Sequence, residues 1–67
     1  MHLNVNGAEH EFASPAATVA ELLRSMGLEG KRIAVERNGA IVPKSRYADT
    51  PLAEGDRLEI VDAVGGG

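Results

Sequence analysis

The chain has 67 residues, 43% of them apolar, with ten acidic and seven basic side chains, a net charge of −3 and no cysteine. A domain of that size buries only ~60% of the surface its unfolded chain exposes, which leaves little room for a deep catalytic cleft. The basic residues form no stripe and only Phe12 and Tyr47 are aromatic, which argues against nucleic-acid binding. No apolar run approaches the ~20 residues of a membrane-spanning helix, and the N-terminus lacks a charged-then-apolar signal pattern. A soluble, cytoplasmic protein is expected.

The opening residues read as a hairpin. Met1, Leu3 and Val5 alternate with His2, Asn4 and Asn6, the period of a half-buried strand. Asn6-Gly7 is a favoured two-residue turn, because both positions tolerate positive φ. Pairing across it sets Val5 opposite Ala8, Leu3 opposite His10 and Met1 opposite Phe12, so Met1, Leu3, Val5, Ala8 and Phe12 share one apolar face with His10. Ser14-Pro15 ends the second strand, since proline restricts the residue before it.

A helix follows. Thr18-Val19-Ala20-Glu21 matches a capping box, in which the hydroxyl and the carboxylate each accept from the other residue's amide. Val19, Leu22, Leu23 and Met26 form one helical stripe, and Gly27 stands where a left-handed cap is expected. Ile33 and Val35 then open a second hairpin, turned by Asn38-Gly39 and returned by Ala40-Ile41-Val42. Pro43 ends it. The polar stretch 44–51 is irregular, with a short helical turn around Ser45 to Tyr47. Glu54-Gly55-Asp56 turns into a last strand, Arg57 to Val61, with Leu58 and Ile60 inward.

The order is ββαβββ, an α+β arrangement in which one helix buries its stripe against one face of a mixed sheet of about five strands. The layout points to a β-grasp, the ubiquitin-like architecture, with the last strand parallel to the first at the centre. Residues 1–62 form the domain. Residues 63–67 are a tail ending in three glycines, which cost too much backbone entropy to hold a fold and predict a flexible tether.

Chemistry-bearing groups are sparse. There is no cysteine, no serine stands at a diagnostic spacing from a histidine, and the carboxylates form no marked pair, so a catalytic constellation is missing. His10 reads as a partly buried histidine and His2 as a surface one, a weak case for a metal. Neither Asn-Gly turn is a phosphate loop. The chain is not expected to be an enzyme.

Several segments together resemble the ubiquitin-like sulfur carriers of the ThiS type. They are Leu3-Asn4-Val5-Asn6-Gly7, Thr18-Val19-Ala20-Glu21-Leu22-Leu23, Ala34-Val35-Glu36-Arg37-Asn38, Ile41-Val42-Pro43, Gly55-Asp56 and Ala63-Val64-Gly65-Gly66-Gly67. The extra glycine, Gly65, departs from the family's terminal pair and only lengthens the tether. The resemblance implies a sulfur carrier for thiazole formation in thiamine biosynthesis. In such a carrier the carboxylate of Gly67 is adenylated and converted to a thiocarboxylate, and Gly65 and Gly66 carry it into a partner's active site. The implied partners are an adenylating enzyme (ThiF-like) that uses ATP, a thiazole synthase (ThiG-like) and a sulfur donor such as a cysteine desulfurase. No cofactor, nucleic acid or membrane is implied for the carrier itself. Outward-facing Ile41 and Val61, with Ala34 nearby, are candidates for partner docking, or they pack beneath the 44–51 loop. Other functions are open: the small subunit of molybdopterin synthase, a ubiquitin-like modifier joined to lysines through Gly67, or an interaction domain with inert glycines.

Overall fold

Alternation in the strands and a single helical stripe divide the apolar residues between one sheet face and one helix, and the computed structural model, which describes residues 1–12 and 18–63, joins the two. Strands β1 (His2–Val5) and β2 (Ala8–Glu11) precede helix α1 (Val19–Ser25). Strands β3 (Ile33–Arg37) and β4 (Ala40–Val42), a 3-10 helix over Lys44–Asp49 and strand β5 (Arg57–Asp62) follow. The sheet order is β2-β1-β5-β3-β4. β5 lies parallel to β1 and antiparallel to β3, because the chain crosses over through α1 before it returns. This is the expected β-grasp.

Both hairpins take the expected register, with Leu3 opposite His10 and Val35 opposite Val42. Asn6 and Asn38 adopt φ of 53° and 51°, and the glycines after them 85° and 87°, the doubly left-handed turn that suits the twist of paired strands. α1 opens on the expected capping box, with Thr18 as N-cap and Glu21 bonding back to the Thr18 amide at 2.9 Å. It closes at Met26, and Gly27 takes the left-handed position at φ 73°.

Val19, Leu22 and Leu23 of the helix pack with Leu3, Val5, Val35, Val42, Leu58 and Ile60 of the sheet to form the core. Leu52 completes it, a residue that no periodicity marks because it sits in irregular chain. Its segment is tied down where the Val19 amide donates to the Thr50 carbonyl at 3.0 Å.

Three details differ from expectation. Ala8 is exposed although it lies in register with Val5, because β2 is an edge strand beyond the reach of the single helix. The short helical turn expected around Ser45 to Tyr47 extends over Lys44–Asp49, and Tyr47 packs against the core. β5 runs one residue further, to Asp62. His10 is half-buried and stacks on Phe12 with ring centroids 6.0 Å apart. The turn at Ser14-Pro15 lies outside the described residues.

Candidate functional site

β5 is the strand that leads to the glycine tail, and the rest of the fold grips it. Beyond the two backbone ladders, both turn asparagines reach it through their side chains. Asn6 accepts from the Ile60 amide at 2.7 Å and donates to the Ile60 carbonyl at 3.0 Å. Its carboxamide thus imitates one more peptide unit and extends the parallel β1–β5 ladder into the turn. Asn38 grips β5 from the other side, its side-chain oxygen accepting from the Arg57 amide at 2.9 Å while its backbone N–H donates to the Arg57 carbonyl at 2.8 Å. The last described residue, Ala63, still donates to the Arg32 carbonyl at 3.0 Å.

The start of β5 is anchored by Asp56, which is 6% exposed. Its carboxylate accepts from Arg37 Nε at 2.7 Å, Asn38 Nδ2 at 2.9 Å and the Ala53 amide at 2.8 Å. Burial acts to raise its pKa, but the bonds from Asn38, Ala53 and Arg37, helped by the Arg37 charge, outweigh that and hold it below the usual aspartate value. Nothing in the sequence marks Asp56 for burial or for these partners. Asp, Arg and Asn are ordinary loop and turn residues in sequence, and only the β3–β5 pairing brings Arg37 and Asn38 to Asp56.

The expected carboxylate site, Gly67, and the tether residues Gly65 and Gly66 lie outside the described residues. The three expected docking residues are described and share the sheet face opposite the helix. Ala34 pairs with Val61 across β3 and β5, and Ile41 pairs with Glu36 across β4 and β3. Ile41 is 68% and Val61 55% exposed, while Ala34 is half-buried. The first two are therefore not packed beneath the 44–51 segment, whose Tyr47 packs against the core.

This arrangement positions a strand and presents a surface. The buried Asp56 carboxylate is fully engaged by structural donors. Among the described residues no three of His, Cys, Asp or Glu gather into a metal-holding group, and no helix is long and apolar enough to cross a membrane.

Comparison with known proteins agrees with the fold. Residues 3–67 match the model of the ThiS family. The sulfur carrier protein ThiS of Bacillus subtilis is 42% identical over 65 residues, which cover 97% of this chain and 98% of that protein. A thiazole synthase of Paramagnetospirillum magneticum is 49% identical over the whole chain, but the chain spans only 20% of its length. In the crystal structure of the thiamine biosynthesis protein ThiS from Geobacter metallireducens the two chains cover each other completely, with 29% identity and a TM-score of 0.88. The chain belongs to the ThiS family.

Proposed function

We propose that this chain is a sulfur carrier for thiazole formation in thiamine biosynthesis, with the carboxylate of Gly67 as its working group. The observation that carries the reading is the likeness to the Bacillus subtilis sulfur carrier along nearly the full length of both chains, within a family match that runs through Gly67.

A carboxylate is a poor acyl donor because its charge is delocalised and it offers no good leaving group. An adenylating enzyme consumes ATP, joins the carboxylate to AMP and releases pyrophosphate. A sulfur nucleophile from a donor such as a cysteine desulfurase then attacks the acyl carbon and expels AMP. Sulfide itself leaves the thiocarboxylate directly, whereas the persulfide of a desulfurase leaves an acyl disulfide whose S–S bond a thiol reductant must cleave; the nucleophilic sulfur then passes to the thiazole-forming enzyme. The thiazole synthase relative, in which a region like this chain is part of a longer protein, supports that enzyme as a partner. Gly65 and Gly66 form the tether, since chain without Cβ atoms passes a narrow channel to the nucleotide. Ile41, Val61 and Ala34 form the docking surface, an exposed apolar patch beside the strand that leads to the tail.

The test is incubation with ATP, the adenylating enzyme and a sulfur donor, followed by intact mass measurement. One oxygen replaced by sulfur is expected, with the change mapping to Gly67 and absent when Gly67 is deleted. Retention of thiamine-independent growth by a strain carrying only the Gly67-deleted chain would overturn the reading. Dominant lysine adducts on other proteins would point to a protein modifier.

A further inference from the structure

The face that carries Ile41 and Val61 also holds an unfavourable pair. Glu36 and Glu59 stand directly opposite each other on β3 and β5, and Ile41 is Glu36's neighbour on its other side. The next row toward the tail is Ala34 opposite Val61. Directly opposed residues in an antiparallel pair hold their Cβ atoms about 4.5–5.5 Å apart, and like charges there destabilise the sheet. Among the described residues neither glutamate makes an ion pair or a side-chain hydrogen bond. Arg57 shares the face, in the row with Asn4, and it forms no ion pair with either one. The central strand β5 and its neighbour β3 thus carry adjacent negative charges that no ion pair neutralises, bordered by exposed apolar side chains.

We propose that this row is the specificity element of the docking surface, and that the adenylating enzyme seated there presents an arginine, set in an apolar surface, to Glu36 and Glu59 together. The inference rests on the reading of Ile41, Val61 and Ala34 as the docking surface. A planar guanidinium has donors enough to bridge two carboxylates, which a compact ammonium does less well. Removing water around Ile41 and Val61 on docking strengthens that attraction. The repulsion that costs the free carrier stability is relieved in the complex, so the same charges select a cationic partner and reject an acidic one.

The test uses the full chain with the adenylating enzyme of the source organism and ATP, reading the apparent KM for the carrier in adenylation together with thermal stability. Glu36→Gln, Glu59→Gln, their combination and Ile41→Asp are compared. The double glutamine variant should raise KM roughly tenfold at low salt, with the gap to the unaltered chain narrowing as ionic strength rises. The same variant should melt about 1–5 °C higher, because the opposed charges are gone. Weaker docking joined to a more stable fold is a signature that a merely structural role for the glutamates would not produce. If the glutamine variants keep their KM while Ile41→Asp loses docking, the charge proposal fails and the docking surface stands. If Ile41→Asp also leaves KM unchanged, the docking reading itself is overturned.

Discussion

Asp56 shows how a loop carboxylate becomes structural. Its three hydrogen bonds tie the start of β5 to the end of β3 and to the Ala53 amide. Each charge-assisted bond contributes more than a neutral one, and deletion would orphan buried donors. Asp56→Ala should therefore cost about 2–4 kcal/mol, measured by urea unfolding at neutral pH. The folded pKa is depressed, so on acidification the unfolded chain takes up this proton first. The stabilisation is complete above the unfolded value of about 4 and is lost as pH falls through the lower folded value. Asp56→Asn should flatten that acid limb of the stability curve; an unchanged limb would show that other carboxylates set it.

At the level of elements, the two hairpins differ from generic Asn-Gly turns because each asparagine side chain also pairs with β5. A glycine keeps the left-handed turn but cannot make those bonds, so Asn6→Gly isolates their contribution. A loss of about 1–2 kcal/mol is expected from the two bonds to Ile60. Amide exchange at Ile60 and Val61 should quicken more than at the far end of β5. The helix depends on its cap in the same separable way: Thr18→Ala should cost about 1 kcal/mol, read from the urea midpoint. Sequence alone named these turns and this cap correctly because each depends on residues within four positions of one another. It did not reveal what the Asn6 carboxamide binds, since Ile60 is 54 positions away.

For the whole molecule, stability and function should come apart. Leu23 is buried among the helix and sheet residues of the core, and Leu23→Ala should cost about 2–5 kcal/mol through the cavity it leaves. Deleting Gly67 should abolish thiocarboxylate formation with the melting temperature unchanged. A melting shift on deletion comparable to that of Leu23→Ala would contradict the separation.

The sequence by itself determined the strand and helix order, both turns, the cap and the family likeness. Those follow from short-range periodicity and from turn residues whose φ requirements are local. Tertiary structure decided the burial of Leu52 and Asp56, the exposure of Ala8, Ile41 and Val61, and the meeting of Glu36 with Glu59. Each of these depends on which strand lies beside which and on how far one short helix can cover a five-stranded sheet. Those are properties of packing between distant segments, and no local pattern carries them.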